Sequence, residues 1–346
     1  MEKVIRVLVV DDSAYVRKVL RQILSRSPFI EVVGTAHDGE EALELVEELH
    51  PDVVTLDLQM PRMDGVAFLR EQMARRPLPV VVVSVASEGG DMALEALDAG
   101  AVDFVHKPTA LATERIYEIG SELIAKVKAA TQAAPRLRLL QVAPTAPAPL
   151  QIERHAGRVD LIAIGVSTGG PQALRRLIPR LPADLPVPIA IVLHMPVGYT
   201  GPYAQRLDAV SPLRVVEARE GDEAAPGTVL LAPAGRHLTL VRTAQGKVVA
   251  HLDVRPTNTV HRPSVDVLFR SVADVYGERA LGVVLTGMGA DGRDGAAWIK
   301  AQGGLVYTEA EETCIVYGMP RAVVEAGLSD RSVPLDQMAE AILEVV

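Results

Sequence analysis

The stretch VIRVLVVDDSAYVRKVL, Val4–Leu20, decides the fold of the first half of the chain. Its first seven residues are aliphatic apart from one arginine, a run that suits a strand buried on both faces. Two aspartates and a serine follow at once, and a helix-like pattern then covers Ala14–Leu24. Serine or aspartate just ahead of such a pattern marks a helix start. Strand, acidic turn and helix open a βα unit, with the acids at the carboxyl end of the strand.

The alternation recurs outward from there. Ile30–Gly34, Val53–Leu56, Val80–Ser84 and Ala101–Val105 read as strands. Gly39–Leu49, Gly65–Arg75, Asp91–Ala99 and Thr113–Ala130 read as helices. Continuous apolar strands separated by helices predict a parallel sheet covered on both faces. The pattern breaks at Thr131–Ile152, TQAAPRLRLLQVAPTAPAPLQI, which has four prolines, no acidic residue and no period. It reads as a semi-extended linker. A second alternation starts at Leu161–Ile164, with further strands expected at Ile189–Leu193, Leu213–Ala218, Thr228–Ala232, Ala280–Thr286 and Gly304–Tyr307. Helices are expected at Gly201–Leu207, Val265–Tyr276 and Gly292–Ala301, and a hairpin around Gly246. The expected organisation is residues 1–130, a linker 131–152, and a second domain 153–346. Both domains are doubly wound α/β with mostly parallel sheets.

Composition narrows the function. The net charge of −9 divides into −8 over residues 1–130, +3 over 131–158 and −4 over 159–346. No half is basic, which speaks against binding along a nucleic-acid backbone. Aromatics are 3% of residues, too few for base-stacking platforms. A single cysteine, Cys314, excludes an intrachain disulfide and fits a reducing cytoplasm. No apolar run is long enough to span a membrane or serve as a signal peptide, so no membrane insertion is expected.

On the βα plan Asp11 and Asp12 follow the first strand, Asp57 the third and Lys107 the fifth, all at one sheet edge. Ser84 ends the fourth strand, and Phe104 lies in the fifth. Taken singly, each aspartate or serine could be a helix cap and Phe104 a core residue. Together, three carboxylates suit a hard divalent cation such as Mg²⁺, and a lysine suits a phosphoryl group. VLVVDDS, TLDLQMPRMDG and AGAVDFVHKP resemble a response-regulator receiver domain over residues 4–125. The resemblance implies that Asp57 accepts a phosphoryl group from a histidine kinase. It also implies that Asp11, Asp12 and Asp57 organise Mg²⁺, that Lys107 and Ser84 contact the phosphoryl group, and that Phe104 switches rotamer.

In the second half, Ile162–Ile178 reads IAIGVSTGGPQALRRLI. Gly165–Gly169 satisfies G-x-S-x-G between a strand and a helix opened by Pro171, the setting of a nucleophile elbow. Ser167 is thus a nucleophile, a phosphate-binding hydroxyl or a turn residue. Candidate bases are His194, His237, His251 and His261, of which His194 directly follows a strand. Asp291, in LTGMGADGRDG, stands beyond another strand, although it or Asp294 could instead cap the next helix. The order Ser, His, Asp differs from that of α/β-hydrolases.

IAIGVSTGGP, HMPVGYTGPYAQRLD, HRPSVDVLFRSVA, VVLTGMGADG and CIVYGMPRAV are similar to the catalytic domain of the chemotaxis protein-glutamate methylesterases, the CheB family, over roughly residues 159–346. The resemblance implies a CheY-like receiver plus a Rossmann-like methylesterase domain, in that family's order. It implies a catalytic Ser167, His194 and Asp291, with the Met288 N–H as oxyanion donor. It further implies demethylation of glutamate methyl esters on methyl-accepting chemoreceptors, deamidation of receptor glutamines, and no cofactor for the esterase reaction. Where the family often has a glutamine before HMP, this chain has Leu193. The unphosphorylated receiver is expected to block receptor access and phosphorylation to relieve the block. The residues alone leave two other readings: a receiver-controlled docking module without esterase activity, and a transcription regulator, for which no basic recognition helix is found.

Overall fold

The computed structural model of the chain describes residues 4–84, 90–107, 113–134, 137 and 157–346. These form two compact units that part between residues 143 and 144. The expected linker 131–152 lies largely outside the described residues.

In the first unit five strands alternate with five helices: β1 (Ile5–Val10), α1 (Ala14–Leu24), β2 (Ile30–Ala36), α2 (Gly39–Leu49), β3 (Val53–Leu56), α3 (Gly65–Arg75), β4 (Val80–Ser84), α4 (Gly90–Asp98), β5 (Asp103–His106) and α5 (Thr113–Ala133). The strands are parallel, in the order β2-β1-β3-β4-β5. Val7–Val10, Val53, Val54, Leu56 and Val80–Val83 are buried, as expected of strands covered on both faces. Helix starts follow the sequence: Ser13, Asp38 and Asp64 cap α1, α2 and α3 by accepting the N–H of Val16, Glu41 and Ala67. The last helix runs to Ala133, three residues beyond the expected end, with Ala129, Ala130 and Ala133 buried.

The second unit is built on a seven-stranded sheet in the order β14-β13-β12-β6-β7-β9-β8, and every ladder in it is parallel. Its strands are β6 (Leu161–Val166), β7 (Ile189–Leu193), β8 (Arg214–Glu217), β9 (Thr228–Leu231), β12 (Ala280–Val284), β13 (Leu305–Glu309) and β14 (Arg331–Val333). A separate antiparallel hairpin pairs β10 (His237–Arg242) with β11 (Val248–Asp253). The helices are α6 (Gly170–Leu177), α7 (Thr200–Asp208), α8 (Val265–Tyr276), α9 (Arg293–Ala301), α10 (Met319–Glu325) and α11 (Leu335–Leu343). The sequence reading does not foresee α10, β14 or α11: seven-, three- and nine-residue elements carry little periodicity. Phe269 and Val265 of α8 and Ile299 of α9 belong to the buried core, beside Leu161, Ala163 and Val284 of the sheet.

Both sheets have a reversal of strand order near the centre, where open α/β sheets form their crevices. In the first unit it falls between β1 and β3. In the second it falls between β6 and β12, since the chain builds β7–β9 on one side and β13–β14 on the other.

Candidate functional site

The first crevice holds the predicted acids. Carboxylate oxygens of Asp11, Asp12 and Asp57 lie within 4.8 Å of one another. Asp11 and Asp57 are buried, whereas Asp12 is exposed. Lys107 Nζ donates to Asp57 Oδ2 at 2.8 Å and makes an ion contact with Asp11 Oδ2 at 2.8 Å. Burial raises the Asp11 pKa against the pull of Lys107, with the Asp57 charge adding to the rise. Burial works to lower that of Lys107, but its bonds to Asp11 and Asp57 more than offset this and hold it above the ordinary lysine value. The backbone fixes the acids: Asp57 N–H donates to Val10 O at 2.9 Å, and Ser13 N–H to Asp11 Oδ1 at 2.9 Å. Gly65 is required here, because a Cβ on it would stand 2.3 Å from the Asp57 carbonyl oxygen. Three hard oxygen donors, two of them buried with one lysine between them, suit Mg²⁺. Ser84 is buried, and its carbonyl accepts the Lys107 N–H at 2.6 Å. Phe104 is buried too, with Lys126 Nζ 5.8 Å from its ring centre.

The second crevice gathers residues from the ends of three adjacent strands. Ser167 follows β6, His194 follows β7, and Thr286 to Asp291 follow β12. The His194 N–H extends the β6–β7 ladder by donating to Val166 O at 3.1 Å. His194 Nε2 is 2.8 Å from Asp291 Oδ2, with the two side chains 8% and 10% exposed. A carboxylate only accepts, so Nε2 carries a proton, and in a neutral imidazole the lone pair is then on Nδ1. That Nδ1 is buried and has no hydrogen-bond partner. Ser167 Oγ and the Met288 N–H form no hydrogen bond among the described residues. The structure thus joins His194 to Asp291 and places Ser167 and Met288 at the same edge, with the serine–histidine bond unmade. Such bonds commonly tighten only with substrate.

Asp291 is not a cap on the helix that follows it, nor does Asp294 cap that helix through its side chain. The carboxylate of Asp291 turns back to the N-terminus of α8. It accepts the Ser264 hydroxyl at 2.8 Å, the Val265 N–H at 2.8 Å and the Asp266 N–H at 3.0 Å. Asp266 in turn accepts the N–H groups of Gly292 and Gly295 at the start of α9, at 2.9 and 2.7 Å. Each acid therefore serves the other's helix start, where orphan amides favour negative charge. Burial works to raise the Asp291 pKa, but His194 and the two amides overcome it and hold the carboxyl well below the usual range. Asp266 is pushed up to about 6 by burial, with the Asp291 charge adding to the rise.

The other histidines named above as candidate bases take places around the site that the sequence does not give. The His261 ring stacks on His194 with centroids 4.0 Å apart and planes 20° apart. His237, considered above as a base, is wholly buried and accepts the Ser264 N–H at Nδ1, 3.2 Å away. Its Nε2 faces Pro256 O at 3.1 Å, and burial holds its pKa down. It is thus a neutral support for Ser264, the residue just ahead of α8. His251 is exposed and pairs with Glu220 on the hairpin side. The one available signal for Ser264 was its place just before a helical pattern, in HRPSVD.

Comparison with known proteins fits both crevices. A family model for the CheB methylesterase matches residues 162–342, and one for the response regulator receiver domain matches residues 7–118. The chain belongs to the CheB methylesterase family. It is 54% identical over 342 residues to "Protein-glutamate methylesterase/protein-glutamine glutaminase 5" of Myxococcus xanthus, covering 96% of each chain. It is 49% identical to a protein-glutamate methylesterase/protein-glutamine glutaminase of Symbiobacterium thermophilum, covering 100% of this chain and 98% of the relative. Among solved structures, the CheB methylesterase catalytic domain of Thermotoga maritima shares 43% identity at a TM-score of 0.53. That match covers 54% of this chain and 99% of the Thermotoga chain. Among the described residues no helix is long and apolar enough to cross a membrane.

Proposed function

We propose that the chain is a cytoplasmic, receiver-controlled protein-glutamate methylesterase and protein-glutamine glutaminase acting on methyl-accepting chemoreceptors. The observation that carries the reading is the His194–Asp291 pair, whose other ring nitrogen is buried and unpartnered, on the residue that follows the strand paired with the one leading into Ser167. Ser167 Oγ attacks the carbonyl carbon of a glutamyl methyl ester while His194 Nδ1 takes the hydroxyl proton. Asp291 holds the ring and stabilises the imidazolium. The Met288 N–H, with one from the Ser167 bend, stabilises the negative oxygen of the tetrahedral intermediate. Collapse breaks the bond to the methoxy oxygen, which leaves as methanol with the proton from His194. Water then attacks the acyl-serine, gives one proton to His194, and frees glutamate as that proton returns to Ser167. With a glutamine substrate the leaving group is ammonia.

In the receiver, Asp57 is the phosphoryl acceptor and a histidine kinase the donor. Asp11, Asp12 and Asp57 would hold Mg²⁺, which supplies charge neutralisation for the carboxylates and the incoming phosphoryl oxygens. Lys107 pairs with the phosphoryl group once its bond to Asp57 is exchanged, Ser84 donates a hydrogen bond to it, and Phe104 repacks. The test is methanol release from methylated receptor membranes, with and without a small phosphodonor plus Mg²⁺. Release should rise with phosphodonor, lose that rise in Asp57→Asn and vanish in Ser167→Ala. Full release by Ser167→Ala would overturn the assignment.

A further inference from the structure

Glu309 ends β13, is wholly buried, and has no part in the chemistry above. Its Oε2 accepts the Thr286 N–H at 2.8 Å, while Oε1 is buried without a partner. Thr286 reaches both sides of the nucleophile. Its carbonyl accepts the Ser167 N–H at 3.0 Å, and its hydroxyl donates to Thr168 O at 2.9 Å. The same hydroxyl accepts the Val316 N–H at 3.0 Å, tying in the segment that bridges to Gly287. An apolar side chain of similar volume would fill this place without the cost of burying a carboxyl. Packing therefore does not account for Glu309, whereas its hydrogen bond to Thr286 does.

We infer that Glu309 is a positioning residue that aims Ser167 by fixing Thr286. The inference rests on Ser167 being the nucleophile. The acceptor oxygen matters here rather than the charge. Burial pushes the Glu309 carboxyl up to about 7, and Thr313, Cys314 and Arg176 are the polar neighbours that oppose the rise along with the Thr286 amide. Glutamine keeps the acceptor; methionine leaves the Thr286 N–H buried and unpaired, so the bend relaxes.

The test uses the full chain with phosphodonor and Mg²⁺ in two assays: methanol release, and the rate at which a fluorophosphonate labels Ser167. Labelling reads the aim of the serine whatever the natural substrate. A chain that labels but releases no methanol would sink the esterase reading and still test this one. Glu309→Met should lower kcat by about 10- to 100-fold with KM within about twofold, and slow labelling in parallel. Glu309→Gln should keep at least roughly a third of kcat. Should the methionine variant not fold, Thr286→Val removes the hydroxyl bonds to Thr168 and Val316 at nearly constant volume, and should give the same pattern. A folded Glu309→Met or Thr286→Val that labels at the wild-type rate overturns the inference, as does a loss confined to KM.

Discussion

Replacing Gly287 with alanine should displace the nucleophile without removing any reacting group. A Cβ at residue 287 would stand 2.8 Å from Ser167 Cβ and 2.4 Å from Met319 Sδ. Ordinary carbon contacts begin near 3.4 Å, so Ser167 must retreat by about 0.6 Å and the sulfur by about 1 Å. Gly287 cannot give way instead. Its N–H donates to Val316 O at 3.0 Å, and its carbonyl accepts the Gly318 and Met319 N–H groups at 3.0 and 2.9 Å. Met319 is fully buried, so its thioether has little room to swing. Overpacking of this kind costs about 1–3 kcal/mol of stability. A misplacement near 1 Å costs on the order of 100-fold in rate, so a shift of roughly 0.6 Å should cost about 10- to 100-fold. The assay is methanol release from methylated receptor membranes across substrate concentrations, beside thermal unfolding. Expected are a lower kcat, an unchanged KM and a modestly lower Tm. A folded Gly287→Ala with kcat within about twofold of wild type would refute the close packing of Ser167 on residue 287 as a determinant of its aim.

Three further outcomes follow from the same geometry. Ser264→Ala removes the hydroxyl bond to Asp291 but keeps both amide bonds, so kcat should fall about tenfold with KM unchanged; equal kcat would show that the amides suffice. Glu309 has a folded pKa near 7 against an ordinary 4.5, so the proton it holds stabilises the fold fully below pH 4.5. That stability is lost as pH rises towards 7, by about 3 kcal/mol in all. Glu309→Gln should flatten this decline. Denaturant unfolding followed through Trp298, the only tryptophan of the chain, reads it, and parallel pH profiles would contradict it. Asp11→Asn should weaken Mg²⁺ binding to the receiver by roughly tenfold or more in titration calorimetry, and unchanged affinity would remove Asp11 from the ligand set.

Much of this was legible in one dimension because strand ends are local features. A buried apolar run stops where polar residues begin, and in a parallel sheet those ends share an edge. Asp11, Asp57, Lys107, Ser167, His194 and Asp291 could therefore be placed from Val/Ile/Leu runs and the turn residues after them. The same locality left a second role open for Asp291. A short polar side chain ahead of a helix suggests a cap on that helix, but the carboxylate turns to α8 while Asp266 serves α9.

The chain by itself determined two α/β units and the chemical types collected at their edges, since hydrophobic period and turn chemistry act over a few residues. Only the tertiary structure decided who meets whom. The order that sets β12 beside both β6 and β13 puts Thr286 between Ser167 and Glu309, residues 142 positions apart in sequence. The stack of His261 on His194 and the support of Ser264 by His237 arise in the same way. A buried polar atom must find a partner, and the element that supplies it is fixed by how the layers pack, which no local pattern encodes.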